Sequence, residues 1–164
     1  MVVAADRISP FWKLVIAVLI CEAAGLLSGL ISQSGMTVWY DGLNKPSWNP
    51  PPYIFGPVWS FLYFLMGTAL WLVWKSDAPE SQKKSAEITF AIQLFLNFWW
   101  SIIFFKFHSL GGAFVEILIL LVAILFTIFR FAPISRAAAW LMVPYISWVT
   151  FASILNYTVW MLNK

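Results

Sequence analysis

Five apolar runs alternate with short polar stretches along the chain, at residues 11–31, 54–74, 88–105, 113–132 and 138–162. Each is close to the roughly 20 apolar residues that a bilayer-crossing helix needs. The pattern predicts an all-α integral membrane protein, a five-transmembrane-helix bundle forming one membrane domain over residues 1–164. The first run is longer than a signal-peptide core, and no clear small-x-small cleavage site follows a short core, so it is expected to remain as a spanning helix.

Polar and small residues interrupt the runs at particular places. Glu22 falls near mid-membrane in the first helix, where an acid is a functional candidate by position and a neutral or interhelically bonded acid is the plainer alternative. Gly25 and Gly29 make a GxxxG step, as well suited to packing within the chain as to a dimer seam. In the second helix Pro57 occupies the first turn, where a missing N–H costs least. Phe55, Trp59 and Tyr63 follow on one face, with Gly67 continuing it as a gap.

The third run carries Gln93, Asn97 and Ser101 every four residues, flanked by Trp100 and Phe104. Hydrocarbon cannot satisfy such a row, which must face protein, water or ligand; interhelical hydrogen bonding and a ligand-lining role both remain open. Glu116 lies one turn inside the expected start of the fourth helix, where the helix dipole favours an anion. Arg130, near its other end, is placed to snorkel to the interface. In the fifth run Pro144 is expected to kink the helix. Tyr145, Trp148, Ala152 and Asn156 share a stripe. Trp148 is too deep for an interfacial aromatic belt, and Ala152 leaves room between large neighbours.

The connections differ in character. Residues 39–59, WYDGLNKPSWNPPPYIFGPVW, put three Trp and two Tyr beside five Pro. Proline fixes φ and withholds donors, and the residue before it is pushed towards extended geometry. A stiff aromatic lid over about 32–53 is expected, with Trp39, Tyr40 and Trp48 covering something apolar. Residues 75–87 read as a plain solvated loop of mixed charge, and His108 as an interfacial side chain beside a short turn.

Composition sharpens this picture and removes whole classes. The chain is 62% hydrophobic and 10% charged, against roughly 25% charged in a soluble domain. Its single cysteine, Cys21, excludes a disulfide framework and a thiolate metal site. The net charge of +3 is dispersed rather than striped, which argues against nucleic acid as a partner. Seven Lys or Arg (Arg7, Lys13, Lys75, Lys83, Lys84, Arg130, Arg136) fall on one side of the predicted spans and three (Lys45, Lys106, Lys164) on the other. The positive-inside rule then places the amino terminus in the cytoplasm and the lid outside.

The usual catalytic constellations, phosphate-cradling loops and metal-ligand clusters are missing, as is the inverted repeat of interrupted helices common in secondary transporters. What remains is a concave aromatic site. Phe55, Trp59 and Tyr63 come from the second helix, Gln93, Asn97 and Phe104 from the third, and Tyr145, Trp148 and Ala152 from the fifth, under Trp39, Tyr40 and Trp48. Such a site suits a flat, largely apolar ligand with a few polar groups at its edge.

The segments WYDGLNKPSWNPPP, GPVWSFLYFLMG, QLFLNFWWSIIFF and PYISWVTFASILNY, in this order, resemble the tryptophan-rich sensory protein and translocator protein (TspO/MBR) family, the peripheral benzodiazepine receptor relatives. The likeness runs from about Trp39 to Trp160. It implies five transmembrane helices, frequent homodimers, and binding of protoporphyrin IX, haem-related tetrapyrroles, sterols and isoquinoline- or benzodiazepine-type ligands, with no further cofactor required. It implies roles in tetrapyrrole regulation or stress signalling and, in some members, light-dependent porphyrin breakdown; porphyrin or sterol transport is the other alternative. By motif, Trp59 and Trp148 correspond to the family's pocket tryptophans and Ala152 to a small position affecting ligand affinity. The family's sterol motif is incomplete: TVWMLN follows Tyr157 and puts Lys164 one residue too far.

Overall fold

The computed structural model describes residues 9–164, all of whose regular structure is helical. Arg7, counted among the amino-terminal charges, lies outside the described residues. Five helical segments are long and apolar enough to cross a membrane.

Helix α1 (Pro10–Ser34) starts where Ser9 accepts a hydrogen bond from the Trp12 N–H at 3.5 Å and Pro10 takes a first-turn position, both favourable starts. Its backbone does not stop where the apolar run ends. A π-helical turn, Gly35–Trp39, and a 3₁₀ turn, Tyr40–Gly42, carry it further. Trp39 and Tyr40 therefore stand on a helical extension of α1, and the non-helical connection is residues 43–51, shorter than the expected lid.

Helix α2 spans Pro52–Trp74 and α3 spans Glu80–Ser101, ending in a second π-helical turn at Ile102–Lys106. Most of the expected solvated loop at 75–87, from Glu80 onward, is thus helix. On the first turns of α3 the exposed Glu80 sits 2.7 Å from Lys83, whose largely covered side chain also donates to the Ser76 carbonyl at 3.2 Å. Helix α4 begins at Leu110 and runs to Phe131, just after His108, which adopts φ 55°, a region rarely entered by residues other than glycine. The last span divides at Met142 into α5 (Arg136–Leu141) and α6 (Val143–Leu162). Pro144 lacks the N–H that would continue the helix and crowds the Trp140 carbonyl, so the expected kink becomes a break.

The spanning helices close into a ring in the order α1, α2, α5 with α6, α4, α3 and back to α1. Small residues set the first contact. A Cβ at Gly67 would lie 2.5 Å from the Val18 Cα, and one at Gly25 would overlap the Tyr63 ring. Gly29 faces open space, so the GxxxG step is split: one glycine seats α2 against α1 and the other takes no part in that contact. At the end of the bundle that carries the 43–51 connection, a Cβ on Gly35 would overlap the Phe105 carbonyl, and this close approach brings the two π-helical turns together.

Candidate functional site

The aromatic residues singled out above gather in two adjoining clusters. In the middle of the bundle, Trp59 stacks on Tyr63 with ring centroids 5.6 Å apart and meets Tyr145 edge-on at 6.4 Å. The Tyr63 hydroxyl donates to Asn97 Oδ1, and Asn97 Nδ2 donates to the Tyr145 hydroxyl at 3.1 Å. Three helices are stitched together by this one chain of bonds. Trp148, half-buried on α6, lies 6.0 Å from Phe55 and 5.4 Å from Phe151. Ala152 is buried one turn on. Trp59 and Trp148 therefore lie along a common seam between α2 and α6 rather than on opposite sides of the bundle.

The second cluster occupies the end where the two π-helical turns meet. Trp39 stacks on His108 at 4.3 Å and meets Phe104 at 5.8 Å, while Tyr40 packs against Phe104 and Phe105 at 6.0 and 5.5 Å. His108, read as a bystander at the interface, instead supplies the flat face on which Trp39 rests. Trp100 touches both clusters and donates its indole N–H to Asn156 Oδ1 at 3.2 Å, while Asn156 Nδ2 reaches the Leu110 carbonyl at 2.9 Å. Trp48 is 46% exposed, its ring centroid 5.9 Å from that of Phe151. Eleven of the twelve predicted positions thus fall in or against these two clusters, with Phe55, Trp100 and Phe151 at their junction, while the twelfth, Gln93, lies buried one turn before Asn97 on α3. Phe151 was not singled out, although its i+3 spacing from Trp148 is the helical signal that would have found it.

The connection over this band of rings is held by polar contacts between distant parts of the chain. Lys45 Nζ donates to the carbonyls of Tyr40 at 2.6 Å and of Asp41 and Leu43 at 3.2 Å, placing a cation where the α1 extension exposes its last carbonyls. The Asn44 N–H donates to Asn163 Oδ1 at 3.0 Å, and Asn163 Nδ2 returns a bond to the Asn44 carbonyl at 2.8 Å. Tyr40 donates to Asn49 Oδ1 at 2.9 Å. The prolines stiffen the strap; these bonds fix where it lies.

Two expectations about polar residues change. Helix α4 starts three residues before the expected 113, which leaves Glu116 beyond the first turn, where the dipole has largely faded. Its side chain is buried, and neither carboxylate oxygen has a partner among the described residues. The row on α3 is divided: Asn97 is bonded as above and Ser101 donates to Ser32 Oγ at 3.2 Å, whereas Gln93 is fully buried and both ends of its amide go without a partner among the described residues. The Trp148 Nε1 is in the same position.

An open groove of about 530 Å³ lies apart from the aromatic band, lined by Leu30, Ile31, Gln33, Ser34, Thr37 and Lys106. Within the band the rings pack directly on one another, so a planar guest has to part rings that now touch.

Comparison with known proteins places the whole assembly. A family profile described as TspO/MBR matches residues 17–161. The chain is 40% identical to the tryptophan-rich protein TspO of Chlorobaculum tepidum over 144 residues, covering 88% of this chain and 91% of that one. It is 41% identical to the translocator protein of Homo sapiens over 123 residues, 74% of this chain and 73% of that one. With the tryptophan-rich sensory protein of Cereibacter sphaeroides it shares 35% identity over 125 residues, 76% and 77% of the two chains.

Proposed function

Because the chain belongs to the TspO/MBR family, we propose that it is a membrane receptor or sensor. Its ligand is a porphyrin-type tetrapyrrole, protoporphyrin IX or a haem relative, held by the aromatic rings along the seam of α2 and α6. Isoquinoline- and benzodiazepine-type compounds, also flat and apolar, compete for the same rings. Tetrapyrrole regulation or stress signalling is the output. The family relationship supports a homodimer as the working assembly, to be checked by the mass of the purified protein in detergent.

The observation that carries the proposal is the setting of Trp148. Its ring is half-buried between Phe55 and Phe151, and its indole N–H is buried without a partner among the described residues. A planar guest inserted between these rings replaces ring–ring contact with stacking of similar strength, about 0.5–1.5 kcal/mol per pair. An acceptor at its edge would also answer the N–H that lacks one. Titrating purified protein with protoporphyrin IX should quench tryptophan fluorescence, and Trp148→Ala should weaken the affinity at least severalfold. An unchanged affinity in that variant removes the proposal.

From the Lys and Arg distribution we take the amino terminus as cytoplasmic and the 43–51 strap as external. An impermeant thiol reagent applied to intact cells should label Ser47→Cys and spare Ser81→Cys, both at exposed positions; the opposite pattern inverts the topology.

A further inference from the structure

The seven buried residues of α2 all lie at or beyond Leu62. Its first ten residues, 52–61, include none that is buried; at the rise of an α-helix they cover about 15 Å, one leaflet's share of the hydrocarbon. The reason is where the neighbours go. Helix α1 holds α2 by Val18 against Gly67 and by Gly25 against the Tyr63 ring. Further along, α1 turns to α3 and its π-helical turn, through Ser28 on the Phe98 carbonyl, Ser32 with Ser101, and Gly35 against Phe105. On the other flank α2 packs closely on α5 and only sparsely on α6, the last span breaking between the two at Met142.

Rings close the seam between residues 52–61 and α6. Trp59 on Tyr145, Phe55 on Trp148 and Trp48 of the strap on Phe151 meet edge-on, at interplanar angles of 67°, 72° and 65°. Hydrogen bonds do not back them: among the described residues, the first bond from an α2 side chain to another helix is that of Tyr63 to Asn97. Pro57 stands inside α2 and not in its first turn as expected, because the helix already begins at Pro52. It withholds the N–H that the Tyr53 carbonyl would accept, and a helix bends most readily at such a place. The strap is the better fastened of the two, since Asn44, Lys45 and Asn49 each bond it down.

We propose that the guest enters sideways from the bilayer, through the seam between α2 and α6, when the first turns of α2 bend outward at Pro57 and carry Phe55 off Trp148. The strap stays in place. Two neighbouring helices of a membrane ring have lipid outside their seam, so this door opens on hydrocarbon, and local opening draws on the part of a fold with the fewest buried contacts. The ligand class follows: planar amphiphiles that dissolve in the bilayer, ring among the acyl chains and polar edge at the headgroups, and not their water-confined analogues. The inference rests on the aromatic band holding a planar guest, and goes beyond it by naming the route and the physical class of guest that can take it.

Stopped-flow tryptophan quenching by protoporphyrin IX, with full-length protein in nanodiscs and empty nanodiscs as background, gives association and dissociation rates. Pro57→Ala restores the missing bond and stiffens the gate. Both rates should fall about threefold or more with affinity held within about twofold, since a gate alters passage and not the seated complex. Asn44→Cys/Asn163→Cys, oxidised, pins the strap while the native Cys21 stays buried, and Asn163→Ala loosens it; neither should move the rates by more than about twofold. Uroporphyrin, the same macrocycle with a carboxylate on every side chain, stays in water and should not quench. Rates in Pro57→Ala at or above those of wild type, or an affinity lost there outright, overturn the inference. So do binding that the oxidised strap blocks and reduction restores, faster entry in Asn163→Ala, or uroporphyrin associating at the rate of protoporphyrin IX. Any of these results, with wild type still binding protoporphyrin IX, removes this inference alone; a wild type that does not bind it removes the porphyrin proposal as well.

Discussion

Two regions of the bundle treat buried polarity in opposite ways. At the strap end, nearly every polar group seen there is answered: Asn156 joins Trp100 to the Leu110 carbonyl, Lys45 caps three carbonyls, and Asn44 and Asn163 exchange bonds. In the middle, one chain of bonds through Asn97 is complete, yet Gln93, Glu116 and the Trp148 N–H beside it are left over. The strap end draws on a cation, Lys45, and on bonds that are partly exposed to solvent, whereas the middle is buried. The paired groups fix how helices sit against each other; the unpaired ones do not contribute to that and are left without a partner among the described residues.

That contrast can be broken by substitution. The largest effect is expected at Asn97. Asn97→Leu removes two interhelical bonds and strands two tyrosine hydroxyls, which should lower stability by about 2–3 kcal/mol, read as a fall in the thermal midpoint in detergent. Asn156→Leu breaks the paired end in the same manner. It frees the Trp100 N–H and the Leu110 carbonyl, and should cost about 1–2 kcal/mol.

If the middle region is spare rather than structural, Gln93→Leu must go the other way. It removes an unpartnered amide at nearly constant volume, and stability should hold or rise by about 1 kcal/mol; a loss as large as that of Asn97→Leu would mean that Gln93 is paired after all. The smallest effect sharpens the packing side of the comparison. Gly29→Ala meets open space and should gain no more than about 1 kcal/mol from helix propensity, while Gly25→Ala, pushed into the Tyr63 ring, should lose stability in the same assay.

Much of the site was legible before any coordinates. The i, i+4 spacing of Phe55, Trp59 and Tyr63, and the Tyr145 to Asn156 stripe, report which face of a helix turns inward, and those faces do pack into the bundle. Boundaries were less legible. The stretch 80–87 is charged, so hydropathy marks it as loop, but helix needs only favourable backbone and a good start, which Glu80 supplies as an acid in the first turn. Trp39 and Tyr40 sit near prolines without being next to one, and the α1 helix passes through them before Pro46 can stop it. His108 gave no signal, because its stacking on Trp39 depends on a positive φ and on two helix ends meeting.

Composition and periodicity alone determined that this chain is a five-span helical membrane protein and which side of its second, third and fifth spans turns inward, because the cost of exposing polar atoms to hydrocarbon is local and accrues residue by residue. Which polar group answers which was decided only in three dimensions. Tyr63, Asn97 and Tyr145 are separated by 34 and 48 positions along the chain, and a hydrogen bond tolerates less than an ångström of error. Whether they meet, and whether Glu116 finds a partner, depends on the rotation and depth of each helix relative to its neighbours, which no single run of sequence encodes.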